Sequence, residues 1–185
     1  MKFTKQNLID LCPCSEGLIF ARAKKFDWQT IWQDCDRSDW LIWWLRRTRQ
    51  MDKPLAVRIS VPCAEHVLPK FETKHPGDLQ PRNAIESAKS WLVNPCQTAA
   101  AAAAAAAYTT YAYTTSSSFA AVFAAAAYTA YTASSTNDYA AWANYAVLAA
   151  AAADTTDTDT NVKTDELKWQ SEKIREIVGK CPFEN

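Results

Sequence analysis

Glycine is almost missing from this chain: Gly17, Gly77 and Gly179 are the only three in 185 residues. A Rossmann or P-loop nucleotide site needs glycines clustered at a strand-to-helix turn, so this scatter excludes both motifs. Histidine is scarcer still, with only His66 and His75. Little therefore remains for nucleophilic catalysis, which pairs an activated Ser or Cys with a His. Net charge is absent as well: 20 Lys and Arg face 20 Asp and Glu. No global field then draws the chain to nucleic acid or to an anionic membrane. Lys and Arg are wholly missing from residues 97–160, where the only charges are Asp138, Asp154, Asp157 and Asp159. No run of about 18 strongly apolar residues exists. Met1–Asn7 has no apolar core of the kind a secretory signal needs. The expectation is a cytoplasmic protein with no membrane partner, whose 6 cysteines are reduced thiols.

Rings and alanines are what the chain has instead. It carries 8 Trp, 7 Tyr and 7 Phe. Alanine buries little area, so rings must supply most of the core, at roughly 150–250 Å² each. The length fits one domain. The patterning predicts an all-α, multi-helix bundle over 1–185. It has a Trp-rich helical part (1–96), an Ala/Tyr/Thr-rich group of about three packed helices (97–153) and a C-terminal helix (162–180).

In the first part, Thr4 is placed to cap a turn through Leu8 and Leu11, and Pro13 stops it. Ser15 and Glu16 start the next helix, and Asp27 is placed to cap Trp28–Cys35. Ser38 or Asp39 is the expected cap of Trp40–Arg49, a helix apolar nearly all round. Its last turns carry Arg46, Arg47 and Arg49, where cations suit the helix dipole. Pro54 opens a helix in which Pro62 predicts a kink, or a break into two pieces. Pro81 suits the first turn of a helix through Val93.

Residues 98–153 are low in complexity but rich in the best helix former. The rings recur at helical spacing: Tyr108 and Tyr111, Phe119 and Phe123, Tyr128 and Tyr131, then Tyr139, Trp142 and Tyr145. Such steps line rings along one stripe. A single helix of this length would span roughly 84 Å at about 1.5 Å per residue, too long for one domain. Breaks are therefore expected at Thr114–Ser118 and Ser134–Asp138, where hydroxyl and carboxylate side chains compete for the backbone. The alanine faces allow close approach between the helices. Asp154–Asn161 reads as an exposed linker. Thr164 is the expected cap of Asp165–Val178, with Gly179 just past its end.

Few constellations carry chemistry. Cys12-x-Cys14 and Cys63-x-x-His66 together offer four zinc-type ligands, but Pro13 stiffens the first pair, and small buried thiols are the simpler account. The chain is read as having no metal, no cofactor and no catalytic residues. Asp34, Asp36 and Asp39 flank helix ends, where capping explains them. Arg46, Arg47 and Arg49 with Lys24 and Lys25 make too narrow a basic face to argue for nucleic acid. The candidate partner-binding residues are the tyrosines and aspartates of the alanine tract: Tyr111, Tyr113, Tyr128, Tyr131, Asp138, Asp154, Asp157 and Asp159.

Several blocks, in order, carry a resemblance to a known family. They are Leu11-Cys-Pro-Cys-Ser-Glu-Gly-Leu, Cys35-Asp-Arg-Ser-Asp-Trp-Leu-Ile-Trp, Cys63-Ala-Glu-His-Val-Leu-Pro, Pro81-Arg-Asn-Ala-Ile-Glu-Ser-Ala-Lys-Ser-Trp and Gln170-Ser-Glu-Lys-Ile-Arg-Glu-Ile-Val. With the alanine tract between the last two, the chain resembles a family of bacterial and phage immunity proteins (the fifth-class, immunity-like, Ala/Tyr-rich helical domain). The tract here is richer in Thr and Ser than the family's Ala/Tyr/Asp pattern. The resemblance implies a non-enzymatic protein that binds and neutralises a partner toxin or nuclease. It supplies no catalytic residues, so Asp36, Arg37, Asp39, Trp40, Arg82 and Glu86 are read as structural contacts. An inhibitor of a bacterial defence system, encoded by a phage, is an alternative with the same physics. A small metalloprotein or thiol enzyme on Cys12, Cys14, Cys63 and His66 is a third reading from another class.

Overall fold

The computed structural model describes residues 3–111, 120–153 and 160–183. Among them lie ten helices and no strand. In chain order these are α1 (Lys5–Asp10), α2 (Ser15–Ala23), α3 (Trp28–Asp34), α4 (Ser38–Arg47) and α5 (Lys53–Glu72), then α6 (Gln80–Val93), α7 (Gln97–Tyr111), α8 (Ala120–Ser134), α9 (Tyr139–Ala153) and α10 (Thr160–Val178).

The expected starts hold in most places, although Asp27 flanks α3 without capping it and its carboxylate accepts from the Thr30 hydroxyl instead. Thr4 Oγ1 accepts the Asn7 N–H at 3.2 Å, and Asn7 Oδ1 accepts the Thr4 N–H at 2.8 Å. That reciprocal pair satisfies two donors that a helix start leaves orphaned. Helix α2 is capped by the Cys14 sulfur, which accepts the Gly17 N–H at 3.3 Å. Gly179 sits past α10 at φ +83°, the left-handed region that glycine enters without penalty.

Helix α4 departs from expectation. It begins at Ser38, with Arg37 as the flanking residue and no side-chain cap. Both proposed caps are engaged elsewhere. The Ser38 hydroxyl donates to Gln170 Oε1 at 2.7 Å, and Asp39 accepts two bonds from Arg37.

At Pro62, helix α5 decides against a break into two pieces. It runs unbroken over 20 residues through Pro62 and Pro69. Each proline frees the carbonyl four residues earlier, at Arg58 and Glu65. Arg58 and Pro69 are exposed, and Pro62 and Glu65 are half-buried, so the prolines share the helix's outer stripe. Water can satisfy those carbonyls there. The inner stripe (Val57, Ile59, Cys63, Ala64, Val67 and Phe71) is buried and holds the helix together.

The alanine tract forms three helices, as predicted. The second break falls where expected, between Ser134 and Tyr139. The first, at Thr114–Ser118, lies outside the described residues. Helix α8 is the hub, packing against α5, α6, α7 and α9. Its Ala125, Ala126, Ala127, Ala130 and Ala133 are fully buried. At these positions the helices pack on methyl groups, and interiors are packed densely enough that a larger side chain there would have to move a helix. At the other end of the molecule, rings fill the core. Trp44 stacks on Phe183 at 3.8 Å, and Phe3 meets Trp28 edge-on at 5.0 Å. Helix α10 lies across α4, α5 and α9. It begins at Thr160, a turn earlier than expected, and takes in part of the segment read as a linker. No helix among the described residues is long and apolar enough to cross a membrane.

Candidate functional site

Three stripes of rings, one from each alanine-rich helix, converge on one face. Tyr111 of α7 lies 5.8 Å from Tyr128 and 6.3 Å from Tyr131 of α8. Tyr128 stacks near Trp142 of α9 at 5.7 Å and lies 5.6 Å from Tyr145. Tyr131 stacks near Trp142 at 5.1 Å. Offset and edge-on spacings of this kind favour each pair beyond the area it buries, so the rings form a semi-rigid sheet. Tyr145 is 49% exposed, Tyr111 44% and Tyr108 74%. Helices α7, α8 and α9 carry no Asp, Glu, Lys or Arg. The face thus offers aromatic area and phenol hydrogen bonds without ion pairs. Burial, with the neighbouring Tyr111 next, raises the Tyr128 phenol above its ordinary value. Burial does the same at Tyr131, again with Tyr111 next. Both phenols stay protonated donors near neutral pH.

Of the predicted partner-binding residues, the structure brings together Tyr111, Tyr128 and Tyr131. Asp138 is exposed at the α8–α9 turn. Tyr113, Asp154, Asp157 and Asp159 lie outside the described residues. Trp142 and Tyr145 belong to the face although only their spacing singled them out in the sequence. Periodicity gives a stripe along one helix, not the meeting of stripes from several.

The metal-type residues are placed apart by burial and by partner. Cys12 and Cys14 are exposed, whereas Cys63 is buried. No group of three or more His, Cys, Asp or Glu is positioned to hold a metal ion among the described residues. His66 has other partners. Its Nδ1 lies 2.7 Å from Glu166 Oε2, and its ring stacks on Trp169 at 3.7 Å and 10°. Glu166 belongs to α10. It is buried, and its Oε1 accepts from Gln170 Nε2 at 2.9 Å. Gln170 also donates to the Val147 carbonyl at 3.1 Å and accepts from Ser38. A polar chain therefore crosses the core from α4 through α10 to α5. Arg37 and Arg82, read as structural contacts, form salt bridges to Asp39 at 2.8 Å and to Glu72 at 2.6 Å.

The thiols divide by burial. Cys12, Cys14 and Cys96 are exposed, and Cys35, Cys63 and Cys181 are buried. Burial pushes the Cys35 thiol from its ordinary 9.0 up to about 11. Burial, and then the Glu166 carboxylate, pushes Cys63 up further. Only the thiolate attacks alkylating reagents. At pH 8, a native sample is expected to label three cysteines quickly and six only after denaturation. Mass spectrometry that finds Cys35 or Cys63 labelled early would contradict this. Between pH 9 and about 11 the unfolded chain loses the Cys35 proton and the folded chain keeps it. Stability from this group is thus full below pH 9 and falls as pH rises. A Cys35→Ala variant should lose less of its thermal midpoint over that alkaline range.

Residues 46–177 match the family described as Imm-5 like putative immunity protein. No curated protein and no solved structure matches the chain. The tyrosine face and the Ser38-to-His66 chain fall within the matched span except for Ser38. The sequence blocks at Leu11 and Cys35 precede it.

Proposed function

The chain belongs to the Imm-5 like immunity family, and from that premise we propose that it neutralises a partner toxin or nuclease by binding it, without chemistry of its own. The observation that carries the reading is the charge-free sheet of rings from Tyr111, Tyr128, Tyr131, Trp142 and Tyr145. Contiguous exposed aromatic area on a soluble surface marks a contact site. Tyrosine and tryptophan supply large, stiff contact area at low entropic cost, and dominate binding where they occur. The alanine seams beneath fix the backbone spacing of the rings, so little order has to be gained on binding.

The test is co-expression with candidate toxins encoded beside this gene, scored by growth and by complex formation on purification. The wild-type chain is expected to restore growth and to co-purify with one toxin. Tyr111→Ser with Tyr145→Ser should weaken that complex by at least about 30-fold, the scale of one interface hot spot, with the helical circular dichroism unchanged. Undiminished neutralisation by the double variant would remove the face from the mechanism. Failure of the wild type to protect against any neighbouring toxin would remove the function.

A further inference from the structure

A second surface, lined by none of the rings of the tyrosine face, is built mainly by helices that precede the matched span. We propose that it binds an acidic polypeptide segment carrying a bulky apolar anchor. One part of it is a cavity of about 460 Å³ whose walls include Phe20, Trp28, Trp40, Trp43 and Leu148. That volume lies in the range of pockets that enclose a ligand group, and it accommodates a tryptophan or a pair of smaller apolar side chains. Phe20, Trp40 and Trp43 are half-buried, so rings stand ready at the mouth. A second hollow of about 490 Å³ is lined by Arg49, Asn137 and Tyr139. Arg46 lines both and joins them.

Charge decides what fits. The acids of this groove are already engaged. Asp39 accepts from Arg37 at 2.9 and 2.8 Å, and Glu16 lies 3.7 Å from the same guanidinium. Arg37 itself lies over the Trp40 ring at 4.7 Å. Asp52 accepts the Leu55 N–H at 2.8 Å and so caps α5. Arg46 and Arg49 differ: both are exposed, and neither has an ion-pair partner among the described residues. The dipole of α4 accounts for cations at its end, but not for the ring-walled cavity that opens beside them. An apolar side chain in that cavity, followed along the chain by carboxylates, would meet two guanidinium groups able to hold them bidentately. A nucleic acid strand fits less well, because only two free cations line the groove, too few to hold a run of phosphates.

The experiment titrates the full-length, isotopically labelled protein with a six-residue blocked peptide, Trp-Leu flanked by two acidic residues on each side. It is followed by nuclear magnetic resonance at about 50 mM salt, where exposed charge pairs are only moderately screened. Saturable shifts of the Trp40 and Trp43 indole signals are expected. Arg46→Ala with Arg49→Ala, both at exposed positions, should weaken binding about tenfold and leave the remaining spectrum intact. A peptide with lysines in place of the acids should bind at least as much more weakly. The proposal is overturned if no saturation is reached at millimolar peptide, or if the lysine peptide binds equally. Full affinity in the double variant, or tighter binding of a ten-nucleotide oligothymidine, would overturn it too. None of these outcomes touches the tyrosine face, whose rings line neither cavity.

Discussion

Gln170→Leu is expected to lower the folding free energy by about 3–5 kcal/mol, on the scale of a buried polar group left without its partner at several places at once. Gln170 is fully buried and makes three bonds: from Ser38, to Glu166 and to the Val147 carbonyl. Leucine fills nearly the same space, so the loss is not one of packing. It strands a hydroxyl and one oxygen of a buried carboxylate, and takes a second bond from a carbonyl that α9 already engages. Each stranded group costs about 1–3 kcal/mol when left unpaired, and relaxation recovers part of the sum. The Ser38→Ala/Gln170→Leu double variant should be less destabilised than the two single losses added together, because the residues share one bond. Glu166→Gln should be milder, since an amide can still accept from Gln170. Denaturant titrations of the four variants read these differences through the transition midpoint and slope. A loss below about 1 kcal/mol for Gln170→Leu would mean that the chain of bonds across the core does not hold α10 in place.

The second large effect concerns a residue that looks innocuous. Ala126→Leu in α8 is expected to destabilise the protein by about 3 kcal/mol or more, at the upper end of overpacking costs. The same change at Ala105 in α7 should stay within about 0.5 kcal/mol, as at ordinary surface sites. Both residues are alanines in helices of the same tract, so intrinsic helix propensity separates the two variants by little. Ala126 is fully buried in the helix that touches α5, α6, α7 and α9, whereas Ala105 is exposed. Leucine at 126 must push one of four neighbours away, and the alanine seams have no slack for it. For a chain of this length the buried change should lower the thermal midpoint by roughly 6–12 °C, at about 2–4 °C per kcal/mol. Equal midpoints for the two variants would show that the seams are not tightly packed.

The sequence carried the alanine tract well, because everything that shapes it is local. Alanine's propensity, the i,i+3 and i,i+4 ring steps and the polar stretch at Ser134–Asp138 act within one or two turns. The outcome at Pro62 was not legible, since whether a proline breaks a helix depends on which side its freed carbonyl faces. Ser38 misled for a related reason. A hydroxyl at a helix start is sufficiently explained by capping. Its actual partner lies 132 residues away along the chain, beyond any local pattern. The candidate site shows the same division. Tyr111, Tyr128 and Tyr131 were identified singly, but the sheet they form with Trp142 and Tyr145 exists only once three helices are side by side.

The distance between Ser38 and Gln170 also sets a schedule. Ribosomes add about 5–20 residues each second, so Gln170 is made roughly 7–26 seconds after Ser38. Through that interval α4 and α5 can collapse onto each other, but the hydroxyl of Ser38 and the imidazole of His66 have only water to bond. The nascent protein therefore keeps an open, wet seam where α10 will lie, and the seam closes only near the end of translation. A premature stop upstream of Glu166 leaves that seam open for good, which makes such a fragment a natural target for chaperones and proteases.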